Sequence, residues 1–135
     1  MKKYNIVKLE GDTMEFPEEA FDALELRKYG YVLIETDPDE KESLVTPLAV
    51  RGSELVEINM VLKNIPGAMA KVDLLLGENL INILYNEGEM IDEEKSAAIR
   101  LADISKSKLN MTQIDKHLKD LDVVEEFEIL EENFD

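Results

Sequence analysis

The sequence contains no cysteine and no tryptophan, and only one of its 135 residues is a histidine. Without cysteine the chain has no disulfide framework, no thiolate metal site and no thiol nucleophile. No apolar run approaches the length of a membrane-spanning helix, and Met1-Lys2-Lys3 leads directly into a strand pattern. We therefore expect neither a membrane segment nor a signal peptide, and a cytoplasmic protein is the simplest expectation.

Basic residues are scarce as well, because 15 Lys and Arg stand against 31 Asp and Glu, which gives a net charge of −16 at pH 7. Acidic residues exceed basic ones in both 1–48 and 49–135, so neither half is a basic module hidden by an acidic tail. A polyanion such as DNA would meet net repulsion unless the few positive groups gather on one face. With 44% hydrophobic residues, the chain is expected to fold as one ordinary domain or two very small ones, with the excess acid forming a solvated surface.

Motifs for catalysis and metal binding are also missing. The sequence has no Gly-rich phosphate loop, no Gly-x-Ser-x-Gly and no zinc spacing. The carboxylate clusters at 92–94 and 125–126 lack the glycine and the alternating oxygen ligands of a calcium loop. His117 has no partner at a catalytic spacing and is expected to be a half-buried structural residue. We predict a protein that is not an enzyme and that has no catalytic residue, no metal and no cofactor.

Residues 1–47 have a mostly β pattern with little apolar material. Strands are predicted at 4–9, 13–16, 31–36 and 43–46, and a short helix is predicted to start at Pro17. So small a core is insufficient for an isolated monomer. A linker is expected at 48–53, where the turn formers Pro47, Gly52 and Ser53 mark a domain boundary.

Phe16-Pro17, the short helix, Leu24-Glu25-Leu26 and the hairpin 31–46 together resemble the AbrB-like swapped-hairpin family over residues 4–47. Members of that family pair as intertwined dimers, which would supply the missing core. Asp12-Thr13 stands where the family usually has Gly-Arg, and the DNA-binding members use Arg and Lys from that region. The resemblance therefore implies a dimerisation module, and DNA binding is an alternative that would require five basic residues to converge: Lys2, Lys3, Lys8, Arg27 and Lys28.

Residues 54–131 show the order strand, helix, strand, strand, helix, strand, followed by a tail at 132–135. The first helix carries apolar residues at the spacing of a helix that lies on a sheet, namely Ala68, Met69, Val72, Leu75 and Leu76. The expected strands are 55–62, 80–85, 97–104 and 123–130, and the second helix is expected at 112–121. This order predicts an α+β protein whose C-terminal domain is ferredoxin-like, βαββαβ.

The stretch Asn64-Ile65-Pro66-Gly67-Ala68-Met69 reads as a tight turn that leads into the first of these helices. Pro66 is expected at the first helical position, and Gly67 lets another group approach the backbone closely. The free N–H groups of that turn, with the positive end of the helix dipole, would bind a carboxylate. The alternative is that the asparagines serve only as turn and strand-end residues.

With Leu80-Ile81-Asn82-Ile83 at the start of the second strand, this turn makes residues 54–130 resemble the ACT domain, a regulatory module of amino-acid metabolism. In amino-acid-binding members, the equivalents of Asn64 and Asn82 hydrogen-bond the ligand at an interface between domains, and the Pro-Gly backbone receives the ligand carboxylate. The resemblance implies a ligand site made of nine residues: Asn64, Ile65, Pro66, Gly67, Ala68, Met69, Ile81, Asn82 and Ile83.

The combined prediction is a non-catalytic regulatory protein that binds a small-molecule effector, an amino acid, between subunits of a homodimer or higher homo-oligomer. Binding would act allosterically by favouring one relative orientation of the subunits, with a regulated enzyme as a further partner. Two alternatives stay open. One is a DNA-binding transcription regulator that uses residues 1–47, and the other is an enzyme-docking subunit that binds no metabolite.

Overall fold

The computed structural model describes residues 1–132, and the chain divides into two compact units, Met1–Gly52 and a second unit that begins at Ser53. The described part is α+β, with six strands in two antiparallel sheets and three α-helices. No helix in residues 1–132 is both long and apolar enough to cross a membrane. In chain order the elements are α1 (Glu18–Ala23), β1 (Tyr29–Asp37), β2 (Glu42–Val50), β3 (Leu55–Lys63), α2 (Ala68–Glu78), β4 (Asn82–Met90), β5 (Lys95–Asp103), α3 (Met111–Asp120) and β6 (Val124–Glu131).

The first unit is a two-stranded hairpin of β1 and β2 preceded by the short helix α1 and a 3-10 turn, Leu26–Lys28. Glu18 and Glu19 lie in the first turn of α1, where the helix dipole favours negative charge. The only buried hydrophobic residues of this unit among those described are Leu26 and Ala49. The unit therefore has almost no core of its own.

The strands predicted at 4–9 and 13–16 are not formed, and this prediction is wrong. The only strand-like feature before α1 in the described chain is an isolated bridge between Glu10 and Thr13. A strand needs a partner to satisfy its N–H and C=O groups, and β1 and β2 pair only with each other. Four of the six residues 4–9 are apolar, yet Tyr4, Ile6 and Leu9 are exposed.

The second unit is built on a four-stranded sheet in the order β4-β5-β3-β6, with every neighbouring pair antiparallel. Alternate residues of the two central strands are buried, including Ile58 and Leu62 on β3 and Ala98 and Ala102 on β5. Because side chains alternate between the two faces of a strand, these residues share one face of the sheet.

Both long helices cover that face. Val72 and Leu76 of α2, with Ile114 and Leu118 of α3, belong to the same buried cluster as the sheet residues. Asn110 starts α3 with a capping box, in which its side chain accepts from the Gln113 N–H and the Gln113 side chain accepts from the Asn110 N–H. The opposite face of the sheet carries no helix from residues 53–132.

Several predicted boundaries differ from the observed ones. Strand β2 continues through Pro47 to Val50, so it includes the first residues of the predicted linker, and β4 continues to Met90, five residues beyond the predicted end at Tyr85. Glu132 N–H bonds to the Leu55 carbonyl 3.1 Å away, and the rest of the predicted tail, 133–135, lies outside the described residues.

Pro66 is not the first residue of α2, which is a second correction. The helix begins at Ala68, and Gly67 before it has a φ of 84°, which no helical residue adopts. The chain therefore turns at Gly67 before it becomes helical. At the other end of the helix, Leu80 has a φ of 59°, so the following strand starts at Asn82 instead of at Leu80.

Candidate ligand-binding site

Asn64 follows directly after β3 and joins it to the connection between β4 and β5. Its backbone N–H donates to the Glu94 carbonyl at 2.8 Å, and its side-chain Nδ2 lies 3.3 Å from the carbonyls of both Asp92 and Glu93. The donor half of the amide is thus used within the chain. The acceptor half, Oδ1, is what Asn64 can offer to the donor of a ligand.

The N-terminus of α2 lies next to Asn64 and is not capped by any side chain. Ala68 N–H donates to the Ile65 carbonyl at 3.3 Å and Lys71 N–H to the Gly67 carbonyl at 3.0 Å. The other two N–H groups of this turn are those of Met69 and Ala70, for which the described residues supply no acceptor. They point along the positive end of the helix dipole, which suits an anion.

A cavity of about 390 Å³ lies at this turn. A volume in this range is at the small end of those that ligand sites have. It brings together Asn64, Ile65, Gly67, Ala68 and Met69 of the predicted site. Its other lining residues come from the end of β3, from α2, from the end of β4 and from β5, namely Lys63, Ala70, Gly88, Glu89, Met90 and Ser96.

Six lining residues lie outside the predicted site, and four of them, Gly88, Glu89, Met90 and Ser96, come from the strands β4 and β5. The signal that was available is Gly88, because a glycine inside a strand often marks a close approach of another group. A Cβ at position 88 would lie 2.7 Å from Cε and 3.3 Å from Sδ of Met69. Because Gly88 has no side chain, the Met69 side chain can lie against this part of β4, where both residues line the cavity.

Asn82 lies at the opposite end of the same sheet. Asn82 pairs with Asp103, which also pairs with Leu55 at the start of β3, whereas Asn64 follows Lys63 at the end of β3. The eight residue steps of β3 separate these ends by about 26 Å. A single chain therefore does not bring Asn64 and Asn82 together.

The two isoleucines of the predicted site are packing residues within the described chain. Ile81 is buried in the core of the second unit, and Ile83 packs against that core from β4. Neither lines the cavity at Asn64, and Pro66 does not line it either.

Asp103, next to Asn82 in the sheet, is held by several donors. Its Oδ1 accepts from the N–H of Ser105 at 2.9 Å and from the N–H of Glu54 at 3.1 Å. Burial raises the pKa of Asp103, but hydrogen bonds from Ser105, Glu54 and Ser53 together outweigh it, so the net pKa lies below the ordinary value. The Asn82 end of β4 thus carries a fixed negative charge.

The other titratable side chains considered from the sequence are His117 and the carboxylate clusters. His117 is exposed on α3, so the expectation of a half-buried histidine is wrong: the buried stripe of that helix passes through Ile114 and Leu118 instead. Across residues 1–132, no three His, Asp or Glu side chains are arranged to hold a metal ion.

Three of the seven basic residues of the first unit are paired with carboxylates. Lys3 lies 3.3 Å from Glu19, Arg27 lies 3.1 Å from Asp22, and Lys28 lies 3.5 Å from Glu25. These pairs reduce the positive potential that a phosphate backbone would meet.

No protein-family model matches the chain, and no curated protein gives a significant match to its sequence.

Proposed function

We propose that this chain is a non-catalytic regulator whose second unit is a ferredoxin-like, ACT-like domain that binds an amino acid. The strand order β4-β5-β3-β6, with both long helices on one face, supports this assignment because it is the order of the split βαβ arrangement. The observation that carries the proposal is the cavity at Asn64, which joins an uncapped helix N-terminus to the end of the edge strand β4.

The groups around this cavity suit the two charged ends of an amino acid. The ligand carboxylate would accept from the N–H groups of Met69 and Ala70, assisted by the helix dipole. The ligand ammonium would donate to Asn64 Oδ1 and meet the Glu89 carboxylate, which also lines the cavity.

Asn82 would join the site from a second copy of the chain. Strand β4 is an edge strand of its sheet, so it has unpaired N–H and C=O groups along one side. Antiparallel pairing of two β4 strands about a two-fold axis at Asn86 would put Asn82 of the partner subunit opposite Met90, which lines the cavity. Each dimer would then hold two equal sites, and ligand would bridge the subunits.

The first unit would hold the dimer in the manner of an AbrB-like swapped hairpin. Its apolar side chains are exposed within one chain, among them Tyr4, Ile6, Val32 and Ile34. Residues 4–9 have the apolar composition of a strand and no partner strand in the described chain. Exchange of this segment between two copies would bury these side chains and pair the backbone.

A thermal-shift screen over the twenty amino acids tests the proposal. A ligand that binds only the folded state raises the melting temperature. At a ligand concentration about one hundred times Kd, it adds about 2.7 kcal/mol to the free energy of unfolding. We expect one or a few amino acids to raise it, and Asn64→Ala and Asn82→Ala each to abolish the shift. Asn59→Ala is the matched control, because Asn59 is an asparagine of β3 that does not line this cavity.

A screen in which no amino acid shifts the melting temperature at millimolar concentration contradicts the proposal. So does a shift that Asn64→Ala leaves intact. A shift that is lost in Asn64→Ala but unchanged in Asn82→Ala would restrict the site to one chain and contradict its bridging role.

A further inference from the structure

The second unit has an uncovered sheet face with a distinct distribution of charge. Helices α2 and α3 pack on the other face, so the odd-numbered residues of β3 and β5 point away from the core. Two shallow cavities lie side by side on this face and share Ala97 and Ile99 as lining residues. We call this surface the open face.

The middle of the open face is apolar along β5 and at Val61, whereas Asn59 and Glu57 on β3 are polar. Val61 on β3 pairs with Ala97 on β5, Ile99 pairs with Asn59, and Leu101 pairs with Glu57. These apolar side chains are half-buried in the chain, and Ala97 is small enough to leave a hollow between its neighbours. A partner side chain that filled this hollow would remove apolar surface from water.

Both borders of the open face are acidic. Glu87 and Glu89 on β4 pair with Ile99 and Ala97 and so lie on the same side of the sheet. Glu128 and Glu126 on β6 pair with Asn59 and Val61 and lie there as well. Two lysines, Lys63 and Lys95, form one end of the face, and the carboxylates remain in excess.

We propose that the open face is a docking surface for a basic amphipathic helix of another protein. Strands β4 and β6 are three strand spacings apart, about 14 Å, which is wide enough to seat an α-helix of about 10–12 Å diameter between the two acidic borders. A helix along β5 and β3 would place its apolar stripe on Ile99 and Val61. Lysines or arginines at the two borders of the stripe would reach the glutamates of β4 and β6.

Charge decides between this occupant and a second copy of the chain. Face-to-face packing of two copies would set the glutamates of β4 and β6 against those of the other copy, in a protein that already carries a net charge of −16. Like charges at close range disfavour such a contact. Pairing of two β4 edges, in contrast, leaves the open face free, and among the glutamates of its two acidic borders only Glu89 also lines the cavity of the proposed amino-acid site.

The test uses the full chain and a synthetic helical peptide of about 18 residues with leucine along one face and lysine along both borders. Binding is followed by fluorescence anisotropy and by amide chemical-shift mapping. We expect shifts on β3, β4, β5 and β6. The double variant Glu87→Lys with Glu128→Lys should weaken binding at least about tenfold, and Ile99→Gln, which keeps the charge, should weaken it similarly.

The matched control is Glu78→Lys with Asp120→Lys, which makes the same change in net charge at the ends of α2 and α3. It should change the affinity by less than about twofold if binding is local to the open face. The melting temperature of each variant checks that it is folded.

Four results would overturn the proposal. They are an equal loss of affinity in the control variant, equal binding of a sequence-scrambled peptide, chemical shifts confined to other surfaces, and no binding at about 1 mM peptide. A change in oligomeric state caused by Ile99→Gln would also overturn it, because Ile99 lies on the open face and not on the edge strand β4.

Discussion

Leu80 adopts a left-handed backbone conformation that normally favours glycine. Its φ is 59°, and its side chain is 55% exposed, so packing supplies little to offset the strain. The chain needs this conformation to pass from α2 to β4: the Leu80 N–H bonds to the Gly77 carbonyl and the Ile81 N–H to the Leu76 carbonyl. These two hydrogen bonds therefore require a positive φ at position 80, and leucine adopts that φ less readily than glycine does.

Leu80→Gly should stabilise the protein by about 0.5–1 kcal/mol, since glycine adopts a positive φ without a steric cost. Denaturant unfolding measures this as a higher midpoint. Leu74→Gly is the control, because Leu74 is similarly exposed but lies within α2, where glycine should cost about 1 kcal/mol. Destabilisation by both substitutions would show that Leu80 is not strained.

Ionisation of the Asp103 carboxyl group makes the stability of the second unit depend on pH. Since its folded pKa lies below the ordinary value, its ionised form stabilises the fold above the unfolded pKa of about 3.9. That contribution is lost as the pH falls through the lower, folded pKa. The free energy of unfolding of Asp103→Asn should therefore fall less than that of the wild type as the pH drops from about 4 to the folded pKa. Urea unfolding at a series of pH values measures this. Asp39→Asn, in the exposed β1–β2 connection, should leave that acid limb unchanged.

A partly buried ion pair connects α2 to the sheet, with the Arg100 side chain buried and the Asp73 side chain 39% exposed. Arg100 on β5 is buried, and its Nε and Nη2 lie 2.8 and 3.2 Å from the two carboxylate oxygens of Asp73 on α2. Its Nη1 donates to the carbonyls of Glu87 and Ile99. Arg100 thus fixes the position of α2 relative to β4, and both elements border the candidate cavity.

Removing the two partners should have unequal effects. Asp73→Ala leaves a buried guanidinium without its counter-charge and should cost about 2–3 kcal/mol. Arg100→Met fills the space with an apolar chain and leaves Asp73 free to contact water, so it should cost about 1 kcal/mol or less. Equal losses of unfolding free energy would contradict this account.

The second unit was more predictable from sequence than the first, for a physical reason. The patterns of β3, α3 and β6 reflect burial against elements of the same chain, so their periods appear in the sequence and in the structure alike. Residues 4–9 carry an equally good strand pattern, but no strand of the described chain pairs with them. The bounds of α2 and β4 depend on positive φ values at Gly67 and Leu80, and apolar periodicity does not report them.

The candidate site was predictable only in part. Turn chemistry indicated Asn64, Gly67 and the start of α2, and these residues do line one cavity. The contributions of Gly88 and Glu89 depend on the register between β4 and β5, which the sequence does not specify. The separation of Asn82 from Asn64 follows from the strand-helix-strand connection, because α2 returns the chain so that β3 ends and β4 begins at opposite ends of the sheet. It was therefore implicit in the predicted order of elements.

We expect the exposed apolar face of the β1–β2 hairpin to determine whether the chain forms a dimer. Val32 and Ile34 on β1 pair with Pro47 and Val45 on β2, so their side chains lie on one face. Light scattering should show a dimer for the wild type. Val32→Glu with Ile34→Glu should give a monomer, since burying two carboxylates against apolar side chains costs several kcal/mol.

Leu74→Glu is the control for this prediction, because Leu74 is an exposed leucine of the second unit. It should leave the dimer intact. A wild-type chain that is monomeric at all concentrations would contradict the swapped-hairpin arrangement and, with it, the bridging of an effector between subunits.

The strand order also bears on how this protein is made. Strand β6 lies beside β3, although the sixty residues 64–123 separate them in the chain. While the chain is emerging from the ribosome, one edge of β3 has no neighbour until the final strand has been synthesised. During that interval Ile58 and Leu62 cannot be fully shielded, and a chaperone that recognises short apolar segments would have its best opportunity to bind.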